Sequence, residues 1–191
     1  MHIELTDHLR CPEPHDEAFL VLLPGRMEGR RVMAGELGCP ICEWATRWDD
    51  GVPDFGGGVV AMGAPPCDAE AVVAMLGIEG AGGWMVLAGT LAALAPAVSA
   101  LLPGVGVVAI NPPPSLRPEG GVQLLRSGRW PIKQHALRGV ALGAGVEHWT
   151  EQALGSVLPG LRGIGVGQPP AGGVRHELLA EAGGLWVVRA G

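Results

Sequence analysis

Short apolar blocks of strand length recur through residues 68–191, and amphipathic stretches separate most of them. An apolar run bounded by glycine or proline is typical of a buried strand, while apolar residues spaced three or four apart indicate a helix. The predicted strands lie at 84–88, 105–110, 122–125, 137–142, 161–166 and 185–189. One predicted helix begins at residue 69, and a second ends near residue 102. Two more are predicted at 146–158 and 174–182. Strands that alternate with helices predict an α/β fold with a parallel sheet and right-handed crossovers.

Residues 1–58 have a different pattern, which predicts a small separate unit. Two apolar stretches, at 18–23 and 32–37, flank a polar turn and predict a hairpin. Glycines at 56–58 and prolines at 65–66 then interrupt the chain and predict a joint. We therefore expect two domains, one at 1–58 and the other at 59–191.

The acidic excess of the chain is confined to the first of these units. Residues 1–58 hold 11 acidic side chains and 5 arginines, a net charge of −6, while residues 59–191 hold 8 of each sign. Since neither unit offers a basic field, we do not expect non-specific nucleic-acid binding.

Prolines divide the uncharged run at 81–116 into pieces too short to span a membrane, and the chain does not start with a secretory signal. The sequence therefore predicts a cytoplasmic protein without a membrane partner.

Metal-binding side chains stand in two short motifs, a C-x3-H pair before the predicted hairpin and a C-x2-C pair after it. Two such turns joined by a hairpin can aim four side chains at one point, as in tetrahedral zinc sites. A unit this small also needs a bound metal or another cross-link to fold. The predicted zinc ligands are Cys11, His15, Cys39 and Cys42. Cys67 and His8 remain open as alternatives to His15 for the fourth position.

The order of motifs in residues 5–56 resembles the small zinc-ribbon domain of Trm112-like proteins. The similarity is carried by L-x-C-P at 9–12, G-x-L-x-C-P-x-C at 35–42 and D-G-V-P-D-F at 50–55. The first knuckle departs from the family pattern, because His15 stands one place beyond the usual second cysteine. The resemblance implies a zinc ribbon of the kind also found fused ahead of bacterial methyltransferases.

The larger unit resembles the second half of class I S-adenosylmethionine-dependent methyltransferases. The similarity is carried by W-P-I at 130–132, L-P-G-L-R at 158–162 and E-L-L-A-E-A-G at 177–183. The implied architecture is a small N-terminal zinc ribbon followed by a Rossmann-like, mostly parallel, methyltransferase-type sheet with helices on both faces.

This chain keeps few of the residues that hold the cofactor in that family. The turn after the first predicted strand keeps one glycine, Gly89, followed by Thr90, and Asn111 stands where the family has a ribose-binding acid. An amide lacks the charge that strengthens hydrogen bonds to ribose hydroxyls. Residues 112–121 are too rich in proline for the usual crossover helix. The candidate cofactor-binding residues are Gly89, Thr90 and Asn111, and no residue is nominated as catalytic.

These observations favour a zinc-binding, methyltransferase-like protein that has lost efficient S-adenosylmethionine binding. It would then act as a structural or partner-binding protein. The alternative is an active S-adenosylmethionine-dependent methyltransferase with an atypical pocket. Because an unused apolar cleft has to be covered, we expect a homo-oligomer or a protein partner over it.

Overall fold

The computed structural model describes residues 1–171 and 176–191. The N-terminal segment, residues 1–58, begins with a 3-10 helix at Ile3–His8. Three antiparallel strands follow in the order β1-β2-β3. Their bounds are β1 Val21–Glu28, β2 Arg31–Gly38 and β3 Ala45–Trp48. The predicted hairpin is therefore present, with β1 starting at Val21 rather than at residue 18.

The rest of the described chain forms a seven-stranded sheet with three α-helices. The strands are β4 Trp84–Ala88, β5 Gly106–Ile110, β6 Val122–Leu125, β7 Leu137–Leu142, β8 Val157–Val166, β9 His176–Ala182 and β10 Leu185–Ala190. The helices are α1 Ala69–Leu76, α2 Ala95–Leu101 and α3 Thr150–Gly155, with 3-10 turns at Gly89–Leu94 and Glu147–Trp149. The side chain of Asp68 caps α1 by accepting a hydrogen bond from the Ala71 N–H, as an N-cap residue does.

The large sheet has the order β6-β5-β4-β7-β8-β10-β9. Strands β4 to β8 pair in parallel, whereas β10 runs antiparallel to both β8 and β9. Numbered within this sheet, the order starts 3-2-1-4-5, as in doubly wound Rossmann-like folds. The predicted fold class, a mostly parallel Rossmann-like sheet in a mixed α/β chain, is confirmed.

Different parts of the chain cover the two faces of the sheet. Helices α1 and α2 pack on one face, over the odd-numbered positions of the central strands such as Leu87 and Val107. Helix α3 and the N-terminal segment pack on the other face, over residues such as Val86 and Val108. Since the second core includes Met1, Leu5 and Leu9 together with sheet residues, the N-terminal segment is built into the core rather than held apart from it.

The N-terminal segment lies where the chain lacks crossover helices. Residues 111–121 and 126–136 contain no helix. Backbone hydrogen bonds instead join the segment to the second of these loops, from Arg10 N–H to the Pro131 carbonyl at 2.9 Å and from Phe55 N–H to the Arg126 carbonyl at 2.7 Å. The N-terminal segment therefore packs where a helix between β6 and β7 would otherwise lie.

Two predicted helices are wrong in part. The helix predicted at 146–158 ends at Gly155, and Pro159 and Gly160 lie inside β8. The register of β7 with β8 jumps from the pair Leu137–Val157 to Gly139–Arg162, and this bulge accommodates the proline.

The predicted helix 174–182 is a strand over His176–Ala182, while residues 174 and 175 lie outside the described residues. Gly183 and Gly184 have φ angles of +60° and +77°, as a two-residue hairpin turn requires, and they join β9 to β10. The helix-favouring residues of β9 adopt a strand because pairing with β10 overrides local propensity.

Among the described residues, no helix combines the length and apolarity needed to cross a membrane.

Candidate metal centre and sheet crevice

The two predicted knuckles bring four metal-binding side chains together. The ligand atoms of Cys11, His15, Cys39 and Cys42 all lie within 4.8 Å of one another. Cys39 directly follows β2, and Cys42 stands in the turn before β3, where the Cys39 N–H donates to the Trp44 carbonyl at 2.8 Å. The turn that connects the two strands therefore aims two thiols at one point.

The distances within this cluster suit a tetrahedral ion. The sulfurs of Cys11 and Cys42 are 3.5 Å apart, and Cys39 Sγ lies 3.4 Å from His15 Nε2. Ligands at zinc–sulfur bond lengths of about 2.3 Å would be separated by about 3.8 Å around a tetrahedron. Three soft sulfurs and one imidazole are a donor set that favours zinc. The residues present therefore fit the predicted metal.

The imidazole of His15 is held in one orientation by its other nitrogen. His15 Nδ1 lies 2.6 Å from the carbonyl oxygen of Asp16, and a carbonyl can only accept, so Nδ1 carries the proton. Nε2 then faces Cys39 as a free lone pair. Such a bond to a ligating histidine is the usual outer support of a metal site. Cys67 and His8, the alternative fourth ligands, are not part of this group.

The two buried sulfurs differ in how readily they ionise. Burial raises the pKa of the Cys11 thiol to about 12. Burial also opposes ionisation of Cys39, but the N–H groups of Ile41 and Cys42 and the Cys11 thiol donate towards its sulfur and lower its pKa to about 7. Because a metal binds the thiolate rather than the thiol, these hydrogen bonds favour the form of Cys39 that can bind a cation.

An arginine in the loop after β6 supports the first knuckle. Arg129 Nη1 donates to the Pro12 carbonyl at 2.9 Å and to Glu13 Oε2 at 3.2 Å. The N–H of Glu13 in turn points at Cys11 Sγ, at 3.5 Å. Sequence reasoning missed Arg129, since it stands 118 positions after Cys11 and belongs to no motif. The metal cluster is thus tied to the sheet as well as to the hairpin.

The three candidate cofactor-binding residues lie at the carboxyl ends of β4 and β5, as predicted from the sequence. In open α/β sheets this edge binds ligands at the point where strand order reverses, here between β4 and β7. Gly89, Thr90 and Asn111 are all buried, the last two with 5% and 6% of their surface exposed. Their surroundings show what covers them.

The strand ends on either side of the switch point are in direct contact. Thr90 N–H donates to the Ala144 carbonyl at 3.2 Å, and Ala144 N–H donates to Thr90 Oγ1 at 3.1 Å. A Cβ atom on Gly89 would lie 2.7 Å from the Gly143 carbonyl oxygen, and one on Gly143 would lie 2.5 Å from the backbone nitrogen of Leu91. Gly89 therefore permits close backbone packing across the crevice rather than an open phosphate- or amino-acid-binding turn.

Both polar atoms of the Asn111 side chain also make hydrogen bonds within the protein. Its amide nitrogen donates to the Ser127 carbonyl at 2.6 Å, and its oxygen accepts the Ser127 N–H at 2.8 Å. Asn111 itself adopts a φ of +52°, a conformation that asparagine tolerates better than most residues. Both of its polar atoms thus join β5 to the loop after β6.

The glycine-rich linker lies over this edge of the sheet. Gly58 is so close to Asn111 that an added Cβ would stand 2.5 Å from its side-chain oxygen, and Gly56 accepts the Gly128 N–H at 2.7 Å. Ala61 lies against Gly145, where an added Cβ would be 3.2 Å away. Residues 56–61, which we call the strap, therefore cover the ends of β5, β6 and β7.

The comparisons with known proteins show no family for this chain. No protein-family model matches the sequence, and no curated protein matches it significantly. Among solved structures, the antibiotic-resistance methyltransferase Kmr is similar with a TM-score of 0.45 and 12% identity over 65% of this chain and 93% of that one. Phosphoethanolamine N-methyltransferase 2 of Haemonchus contortus, solved with S-adenosyl-L-methionine, gives a TM-score of 0.39 and 13% identity over 55% of this chain. The matched part spans 29% of that second protein.

Proposed function

We propose that this chain is a zinc-binding, methyltransferase-like protein that does not bind S-adenosylmethionine efficiently and acts as a structural or partner-binding protein. The observation that carries the proposal is the crevice between β4 and β7. Its two rims touch through the Thr90–Ala144 hydrogen bonds, and a cofactor would have to separate them. Asn111, the remaining polar group at this edge, has both of its hydrogen-bonding atoms occupied by Ser127.

The N-terminal segment has a structural part in this proposal. A Trm112-like zinc ribbon, stabilised by a metal on the Cys3His cluster, would hold the loops at 111–121 and 126–136 in place of helices. Arg129 supports this assignment, because it links the metal knuckle to the loop after β6. Loss of the metal would then disturb the sheet face that this segment covers.

The strap and the residues that follow it are the candidate partner surface. Val59, in the strap, is 76% exposed, and Met62, directly after the strap, is 88% exposed. Large apolar side chains that stand together in solvent are a common mark of an association site. A second copy of the chain placed over the strap would cover them, in agreement with the self-association expected from the sequence.

Calorimetric titration with S-adenosylmethionine tests the loss of cofactor binding. The zinc-loaded protein should give no saturable heat. S-adenosylhomocysteine should behave in the same way, because the closed crevice excludes the nucleoside part that both molecules share. Tight, saturable binding of either molecule would overturn the proposal and favour the alternative, an active methyltransferase with an atypical pocket around Gly89, Thr90 and Asn111.

Light scattering at increasing protein concentration tests the partner surface. The protein should have at least the mass of a dimer, and a Val59→Lys/Met62→Lys double variant should be monomeric. Leu101→Lys is the matched control, because Leu101 is a 42% exposed apolar residue of α2, away from the strap. A monomeric wild-type protein, or a double variant that still associates, would contradict self-association through this surface.

A further inference from the structure

The outer side of β1 carries three exposed apolar side chains, which we call the β1 row. Its members are Phe19, just before the strand, and Val21 and Leu23 within it, and they are 61%, 44% and 60% exposed. The residues between them, Leu20 and Leu22, pack towards the core. Because side chains alternate between the two faces of a strand, the β1 row lies together on the solvent side of the small sheet.

The neighbouring strands leave room beside the β1 row. Val21 lies opposite Gly38 of β2, which lies opposite Ala45 of β3. Since these residues have no side chain or only a methyl group, they leave a shallow channel along the row. Leu23 lies opposite Glu36, whose carboxylate pairs with an arginine of β3 and marks one end of the channel. The row exposes roughly 300 Å² of surface, a size at which apolar patches on monomers are often functional.

The face of β1 is better suited to a partner than its edge. Pro24 has no N–H to donate, and the register of β1 with β2 shifts on both sides of Arg26. Prolines and bulges hinder the addition of a further strand to a sheet edge. The open face of a sheet, in contrast, is commonly covered by a helix. The β1 row therefore favours a helical partner over an added strand.

The unpaired charges of the N-terminal segment are negative. Each of its five arginines lies within ion-pair or hydrogen-bond distance of a carboxylate or carbonyl oxygen. Several exposed acidic side chains, in contrast, have no lysine or arginine partner among the described residues, namely Asp7, Asp16, Glu28, Glu43, Asp49 and Asp54. A partner that docks on this segment would gain from positive charge.

We infer that the β1 row is a docking site for an amphipathic helix of another protein, with an apolar stripe flanked by lysine or arginine. Apolar residues three or four apart on such a helix form a stripe that packs along the row. The row offers less than half of the roughly 800 Å² per partner that a stable interface buries, so a single helix fits it better than a second copy of this chain. The inference rests on the partner-binding part of the proposed function, but it concerns a surface other than the strap.

Fluorescence anisotropy of a labelled peptide tests this inference on the full-length, zinc-loaded protein. The probe is an amphipathic helix of leucine and lysine, about 15 residues long. It should bind saturably with one peptide per chain, and circular dichroism should show that it is helical when bound. A peptide of the same pattern with glutamate in place of lysine should bind at least about tenfold more weakly, because it is repelled by the unpaired acids.

The double variant Phe19→Ser/Leu23→Ser locates the site. Both side chains are more than half exposed, so zinc content and the thermal midpoint of unfolding should stay at the wild-type values. The affinity for the lysine peptide should fall by at least about tenfold, because two apolar contacts are lost. Leu101→Ser/Leu158→Ser is the matched control, since it removes exposed apolar side chains from α2 and β8. It should bind as the wild type does.

Several results would overturn the inference. They are a lysine peptide that does not bind saturably or is not helical when bound, a glutamate peptide that binds as tightly, and two double variants that behave alike. Loss of self-association in Phe19→Ser/Leu23→Ser would also overturn it, because a second copy would then occupy the β1 row. The S-adenosylmethionine titration and the light scattering of the strap variant are separate measurements, so failure here is distinguishable from failure of the proposed function.

Discussion

Replacement of Gly89 by alanine tests whether the crevice between β4 and β7 is closed by backbone contact. Gly89 has a φ of +65°, and an alanine in this conformation costs about 1 kcal/mol. The new Cβ would also stand 2.6 Å from the Ala144 carbonyl oxygen and 2.7 Å from that of Gly143, and these are backbone atoms that cannot move aside cheaply. Overpacking of this kind adds about 1–3 kcal/mol. The expected loss of unfolding free energy is therefore about 2–4 kcal/mol.

Gly183→Ala is the matched control for this experiment. Gly183 has a φ of +60°, almost the same as Gly89, but a Cβ added there would meet nothing within 4 Å. It should lose only the conformational part, about 1 kcal/mol. Urea unfolding of both variants, followed by tryptophan fluorescence, gives the two free energies if the transitions are two-state. Equal losses for the two variants would refute the closed crevice, because an open turn at Gly89 would leave room for the methyl group.

Three further outcomes are expected. Cys39→Ser should abolish stoichiometric zinc binding and lower the thermal midpoint of unfolding, while Cys67→Ser should change neither quantity. Zinc content is measured by atomic emission, and loss of zinc in Cys67→Ser would contradict the assigned cluster. Asn111→Asp should lose about 1–3 kcal/mol of unfolding free energy, because the Ser127 carbonyl loses its donor and meets a carboxylate, and it should gain no affinity for S-adenosylmethionine. The pKa of Glu147 is lowered, chiefly by a hydrogen bond from the Gly145 N–H. Ionised Glu147 therefore stabilises the fold above the ordinary carboxyl pKa, and the stability difference from Glu147→Gln should shrink as the pH falls below about 4.3.

Most of the large sheet could be predicted from local patterns, and the failures have physical reasons. The block at 84–88 matches β4 because a run of apolar residues between glycines has few other stable conformations in a folded core. The prediction failed at 176–182, where Glu, Leu and Ala favour a helix by local propensity. The Gly183–Gly184 turn and the free edge of β10 instead draw this stretch into the sheet.

The candidate metal centre was predictable from spacing, because each knuckle is a local turn and a hairpin brings the two turns together. The supporting Arg129 was not predictable, since its contact with Glu13 joins positions 116 residues apart.

The sequence by itself determined the α/β fold class, the two cysteine-containing knuckles and the absence of a glycine-rich turn, because these features depend on residues close together in the chain. Only the tertiary structure decided that the N-terminal segment covers one face of the large sheet and that Gly89 packs against Gly143. Both depend on which distant surfaces meet. The same short turn would serve an open pocket or a closed one, and the 2.6 Å approach of a Gly89 Cβ to the Ala144 carbonyl oxygen distinguishes the two.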